Sequence, residues 1–393
     1  MKRIGKTYCL PITKLTVLCS VIGIMLLGAC RDPFEPEVTE TDLGILVVEG
    51  FIETNGEESK IILSRTAPVG QSSQFSKETS ASVRLNSESG ETWFFEEKNM
   101  GEYSLTATLD NNVRYRLEIN SAGGRQYLSE WMQPVVSPEI GELGFIRDQN
   151  GVEIYVSAQG NEAAQYFLWT YEEHWIFRPA VRTVFKYNPE TKNVESRRDD
   201  ERIDLCWNSN VFPKIILQNA ARFENNTILQ RELVRIRPND ERLMQRYSIL
   251  VKQRAINQET YDFWEILRRN SDDIGGIFSP LPSLIRSNIE PISNPDETVI
   301  GFVSIGQSAS KRLYIDNADV APWPVTIEDY KFCRMETDTI LVANYSSAFG
   351  SGQRLPAAPV MVETTTIGFY PVRRDCADCT LRGSNVKPEF WED

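Results

Sequence analysis

From Ile45 onward the chain is a succession of short runs in which apolar and polar residues alternate. ILVVEGFIE (45–53), SKIILSRT (59–66), ASVRLNS (81–87), ETWFFEEK (91–98), GEYSLTAT (101–108), VRYRLEIN (113–120) and GRQYLSEW (124–131) come first. Turn residues separate them, among them Asn55-Gly56, Ser89-Gly90, Asn99-Met100-Gly101, Asp110-Asn111-Asn112 and Gly123-Gly124. Strands at even spacing with turn signals between them predict an Ig-like β-sandwich over residues 45–134. The run lacks the paired cysteines and central Trp of antibody domains, so the pattern predicts the architecture alone. The segment Gln133 to Pro138 marks the expected boundary.

A second β-rich domain is expected over 139–393 as a larger sandwich or a barrel-like sheet. Runs 140–148 and 152–159 flank Gln149-Asn150-Gly151, a hairpin signal. The aromatic run QYFLWTYEEHWIFR (165–178) follows, then VRTVFKYN (181–188) and a run around Arg202 to Trp207 on either side of Asn188-Pro189-Glu190. Further strands are predicted at 213–220, 228–237, 246–256, 298–306 and 310–316. One helix interrupts them, 258–271, with Asn257 as its cap and Tyr261, Trp264 and Leu267 on one stripe. The last ~75 residues carry six prolines from Pro322 to Pro388, and a loop-rich tail that wraps the second domain without a core of its own is expected. The fold class is therefore mainly β.

The N-terminus reads differently. Lys2, Arg3, Lys6 and Lys14 are followed by an uncharged apolar run, Leu15 to Leu27, and by Gly28 and Ala29. Such a run is short of the ~20 residues that span a bilayer, and the order of basic, apolar and small residues is that of a secretory signal over 1–29. Leu27-Gly28-Ala29-Cys30 resembles a bacterial lipobox, which implies cleavage before Cys30 and lipid attachment to it. Residues 30–44 hold Asp32, Glu35, Glu37, Glu40 and Asp42 with two prolines, an acidic tether unable to build a core. Removing 1–29, which carry four basic side chains and no acid, leaves 38 basic against 55 acidic side chains and a charge of −17. That balance argues against nucleic acid or an anionic membrane face as partner.

Candidate chemistry is sparse. The one histidine, His174, would have to carry any Ser–His–acid or Cys–His mechanism. Its setting reads as a half-exposed strand residue. No zincin, EF-hand, Walker or dinucleotide-binding pattern is present, and no cofactor is expected. Asp272-Asp273 and Asn294 to Glu297 are weak calcium candidates. Phe167, Trp169, Tyr171, Trp175 and Phe177 share one strand face with Glu173 between them. They form either a core or an exposed stripe for a sugar or a partner protein, with Trp169, Tyr171 and Trp175 as the binding candidates. After export four cysteines remain beside Cys30: Cys206, Cys333, Cys376 and Cys379. An even number in an exported chain predicts disulfides. All three pairings stay open, and the C-x-x-C pair is expected to staple the tail to the second domain, with Phe390 and Trp391 as apolar anchors.

Three stretches carry a family resemblance: YSILVKQRAINQETYDFWEILRRNSDDIGGIFSPLPSLIRSNIE, DETVIGFVSIGQSASKRLYI and the tail CADCTLRGSNVKPEFW. With the lipobox, DPFEPE and LVVEGFI, they resemble Bacteroidota lipoproteins grouped as domain of unknown function 4249. The resemblance implies a non-enzymatic, surface-facing outer-membrane lipoprotein whose genes often neighbour those of TonB-dependent transporters. It implies an accessory role on such a β-barrel in substrate capture, gating or assembly. The alternative is a stand-alone adhesin or glycan-binding lipoprotein that uses the aromatic stripe. A hydrolase built on clustered acids or on His174 is the third reading.

Overall fold

In the computed structural model the first strand, Leu46–Glu53, is buried on both faces at its two ends, with Leu46, Val48 and Ile52 fully enclosed on one face, Val47 and Glu53 buried on the other, and Glu49 exposed between those two. A strand buried on both sides sits centrally in a sheet. Here it pairs antiparallel with Asn55–Thr66 and parallel with Val299–Gln307, from Leu46↔Val299 to Glu53↔Gly306. The structure describes residues 44–66, 75–211, 216–272 and 287–392; the predicted signal, Cys30 and the acidic tether as far as residue 43 lie outside them. Gly44–Asp393 form one compact unit.

The N-terminal sandwich has a seven-stranded sheet in the order Val135–Val136, Val299–Gln307, Leu46–Glu53, Asn55–Thr66, Glu102–Thr108, Glu96–Asn99, with Phe75–Lys77 added to Asn55–Thr66. Its five-stranded partner runs Ile289–Pro291, Gln126–Ser129, Tyr115–Asn120, Ser82–Ser87, Thr92–Phe94. Leu63, Tyr103, Val83, Leu117 and Val303 meet in the core between them. Two strands of this sandwich therefore come from beyond the boundary expected at 134–139. The expected strand 91–98 divides at Phe95, a buried corner whose flanking strands belong to opposite sheets. Gly301 makes the parallel pairing possible: it has φ +120°, and a Cβ there would lie 1.9 Å from the Val48 carbonyl oxygen.

The second sandwich sets Cys206–Val211, Tyr166–Phe177, Arg246–Ile256 and Ala309–Asp316, with Ile216–Asn219 beside Tyr166–Phe177, against a three-stranded sheet. That sheet is Leu143–Asp148, Gly151–Gln159 and Thr227–Ile236. The predicted hairpin forms at Gly151, whose φ of +127° brings it against the Ile236 carbonyl. Among the described residues all sheets are open, so the sandwich alternative holds and no barrel closes.

The helix Gln258–Asp272 starts where Asn257 Oδ1 accepts from Thr260 N at 2.9 Å and from Thr260 Oγ1 at 2.6 Å. Its inner face reaches both sandwiches. Tyr261 packs on Tyr166 (5.0 Å between ring centroids) and Phe263 on Phe302 (5.2 Å). The tail departs from expectation. Arg354–Val362 and Thr365–Arg373 form a hairpin joined by Ile340–Leu341. Tyr345, Phe349 and Phe369 make a small core with Phe185, Tyr187 and Val194 from the Phe185–Asn188/Asn193–Ser196 hairpin. The prolines read as loop, but Pro356 and Pro359 lie on an edge strand, where a missing N–H is tolerated.

Candidate functional site

The aromatic strand Tyr166–Phe177 points its predicted stripe inward. Trp169 and Phe167 are 0% exposed, Tyr171 is 2% and Trp175 is 7%. Their sheet face meets Val152, Ile154 and Val156 across the sandwich, which is why large apolar rings alternate here. The Trp169 indole donates to Gln253 Oε1 at 2.9 Å, and Gln253 in turn donates to the Pro138 carbonyl at 2.8 Å. Trp169, Tyr171 and Trp175 are thus core, and the adhesin reading loses the face it relied on.

Glu173, in the middle of this face, is fully buried. Tyr247 donates its hydroxyl proton to Glu173 Oε1 at 2.7 Å, Arg242 Nη1 donates to the same oxygen at 2.7 Å, and Asn210 donates to Oε2 at 3.3 Å. Burial, followed by the Glu173 charge, pushes the Tyr247 phenol well above its ordinary pKa. Burial opposes the charge of Arg242, but the hydrogen bonds it donates to Asp240 and the negative charge of Glu173 outweigh that and raise its pKa. The carboxylate is therefore fully engaged in an internal pair, a structural arrangement for a buried charge.

His174 faces the other way, onto the outer side of the sheet. Phe390 covers its ring edge-on at 4.7 Å, and burial together with Arg312 keeps its pKa below the ordinary value. Glu172 is exposed on the same side.

The cysteines form crossed pairs. Cys206 bonds Cys379, 173 residues away, and Cys333 bonds Cys376, 43 residues away. A four-residue helical turn, Arg374–Ala377, and a 3₁₀ turn, Cys379–Leu381, aim the neighbouring sulfurs at different partners. Beyond this elbow the tail adds a short bridge to the sheet, with Trp207 N donating to Ser384 O at 2.8 Å and Ser384 N donating to Trp207 O at 2.9 Å. Tyr314 then donates to the Phe390 carbonyl at 2.7 Å, the Arg312 guanidinium lies 3.8 Å from the Phe390 ring, and Trp391 is 4% exposed against Tyr314 and Trp207. Both expected anchors hold the tail down.

Two concave regions had no signal in the sequence. One, of about 380 Å³, lies between the helix and the seven-stranded sheet and is lined by Val47, Phe263, Trp264, Leu267 and Phe302. The other, of about 330 Å³, lies where the sandwiches meet. There Glu53, 1% exposed, pairs with Lys252 at 2.8 Å and accepts from Ser308 Oγ at 2.8 Å. Of the calcium candidates, Asp273 falls outside the described residues. Glu297 is taken by Tyr127 (2.8 Å) and Arg125 (3.1 Å). Among the described residues no group of three or more His, Cys, Asp or Glu side chains is placed to hold a metal ion.

The sequence model of a domain of unknown function, DUF4249, matches residues 31–312, more than half of the chain. The chain belongs to the DUF4249 family. The DUF4249 match spans the strands of both sandwiches and the helix, and ends within Ala309–Asp316. Cys333, Cys376, Cys379 and the anchoring Phe390 and Trp391 lie beyond it. No curated protein matches the chain.

Proposed function

We propose that this member of the DUF4249 family is a lipid-anchored outer-membrane lipoprotein, facing the cell exterior, that acts without enzymatic chemistry as an accessory subunit of a β-barrel. The TonB-dependent transporter is the barrel that the family resemblance favours. The observation that carries the reading is the sequence Leu27-Gly28-Ala29-Cys30 and its acidic tether, placed ahead of a body closed by two disulfides. Disulfides persist outside the reducing cytosol. Cys30 would carry the lipid, and acyl chains together exceed the two hydrophobic signals that stable anchoring needs. A body with a charge of −17 would stand clear of a negatively charged surface. On the barrel it would support substrate capture, gating or assembly.

The test is affinity capture of the tagged full-length protein from native membranes in mild detergent, followed by identification of bound barrels. A stoichiometric barrel supports the proposal. Recovery of the lipoprotein alone, from membranes shown to contain it, counts against the partner. A Cys30→Ala variant that still fractionates with the outer membrane counts against the anchor.

A further inference from the structure

Three arginines converge on one buried carboxylate beside the cysteine elbow. Asp204 is 1% exposed. Arg202 grips it with two bonds, Nε to Oδ1 at 2.9 Å and Nη2 to Oδ2 at 3.0 Å. Arg182 Nη2 donates to Oδ2 at 3.3 Å, and Arg178 Nη1 lies 3.5 Å from Oδ2 while donating to the Asp204 carbonyl at 3.1 Å. Arg178 is also tied to Gln245 at 3.1 Å. Burial alone would raise the Asp204 pKa, but Arg202 and Arg182 more than reverse it, so the carboxylate is ionised. One negative charge thus meets three positive ones. Asp199 acts on Arg202 from further away. The surplus is felt inside the cluster, because burial and then the charge of Arg182 push the Arg178 pKa down.

The cluster is also rigid. Val181 N donates to the Cys376 carbonyl at 3.0 Å, Cys379 N donates to the Ile203 carbonyl at 3.0 Å, and Asn385 donates to the Arg202 carbonyl at 2.8 Å. The Cys206–Cys379 bond fixes the end of the same segment. Both arginine-bearing stretches are therefore held by the disulfide-braced elbow, so little ordering remains to oppose binding. The side chains of Arg182 and Arg202 stay 59% and 40% exposed, with donors left toward solvent.

We propose that Arg182 and Arg202, held against Asp204, form a binding site for a single oxyanion group: a sulfate, phosphate or carboxylate, free or terminal on a larger molecule. Guanidinium forks match such groups two bonds at a time. The overall charge of −13 repels long polyanions, whereas a local surplus acts within a Debye length of ~8 Å at physiological salt, which selects one compact group.

The test is calorimetric titration of the full-length protein with sodium sulfate, at ionic strength matched by sodium chloride, and in parallel with glucose 6-sulfate against glucose. Wild type is expected to bind, Arg182→Ala at least tenfold more weakly, and Asp204→Asn, relieved of its internal competitor, severalfold more tightly. Tighter binding of the sugar sulfate than of free sulfate would assign the group to a larger molecule, and equal binding to the free ion. Sulfate also stabilises proteins nonspecifically, so equal responses from wild type and Arg182→Ala overturn the site. Absence of binding of both probes to wild type does the same.

Discussion

The two disulfides give the most quantitative test of how this chain is held together. In the chain-entropy picture a cross-link stabilises by restricting the unfolded chain, by 2.1 + 1.5R ln n cal/mol/K for a loop of n residues. The loop closed by Cys206–Cys379, with a separation of 173, is then worth ~5 kcal/mol, and that closed by Cys333–Cys376, with a separation of 43, ~4 kcal/mol. The second loop lies inside the first and shortens it, so the pair together stabilises by somewhat less than ~9 kcal/mol. Native stabilities are typically about 5–15 kcal/mol. The doubly reduced protein should therefore stand near its unfolding midpoint, while either single bond leaves a folded chain.

The perturbations are the paired variants Cys206→Ala/Cys379→Ala and Cys333→Ala/Cys376→Ala, which also avoid burying unpaired thiols. Equilibrium urea unfolding reads the result. Both variants should unfold at lower urea, the first by the larger free energy, and the slope of each transition should steepen as the unfolded chain expands. A loss below about 1 kcal/mol in the first variant would refute the entropic reasoning. Peptide mapping of the oxidised protein that joined Cys376 to Cys379 would refute the pairing itself.

Three further outcomes follow from particular contacts. The hydrogen bond from Arg84, helped by Asn120, Gln126 and Asn86 against the opposing effect of burial, lowers the Glu118 carboxyl to about 2 from an ordinary 4.5. A depressed folded-state pKa contributes stability that is complete above ~4.5 and lost as pH falls toward ~2, at most about 3 kcal/mol at 1.36 kcal/mol per unit. Glu118→Gln should therefore flatten the acid limb of a stability-versus-pH curve, and parallel curves for the two proteins would refute this. Removing the tail cover with Phe390→Ala/Trp391→Ala should raise the pKa of His174, the only histidine, toward its ordinary value as the ring gains water. NMR titration of that one imidazole reads the shift, and an unchanged midpoint would show that the tail does not shield it. Trp169→Ala should cost ~3–5 kcal/mol of stability, as for other buried aromatics, and should also leave Gln253 Oε1 without its indole partner. A variant as stable as wild type would return Trp169 to the surface.

Strands were legible wherever one face alone is buried, because alternation then records which side is wet. Tyr166–Phe177 illustrates this and also shows the limit. Its period put the rings on one face, but the pattern is the same whether that face meets a second sheet or a ligand. Glu173 is the one charged residue among the rings on that face. Its neutralising partner, Arg242, stands 69 residues away, a separation that no local pattern displays. The parallel entry of Val299–Gln307 beside Leu46–Glu53 was hidden for a related reason: alternation identifies a strand without naming its neighbour. A trace was present, since Leu46-Val47-Val48 is apolar without alternation, as a central strand must be. The arginines around Asp204 come from two stretches joined by a hairpin excursion and share no motif. Only their density in so acidic a chain distinguishes them.

The C-x-x-C pair shows why spacing alone misleads about chemistry. Three residues along a helical turn bring two Cα atoms near one another, which is what a redox pair or a metal site uses. Here Asp378 interrupts the turn in an extended conformation, at φ −114° and ψ 98°, between Arg374–Ala377 and Cys379–Leu381. That break turns the second sulfur away from the first, so each meets a partner in a different layer, Cys333 in the tail and Cys206 at the edge of the second sandwich. The pair consequently works as a fastening between two parts of the chain, and the same break sets Cys379 N against the carbonyl of Ile203, next to Asp204. The placement of the arginine cluster is thus a direct consequence of how the cysteines were separated.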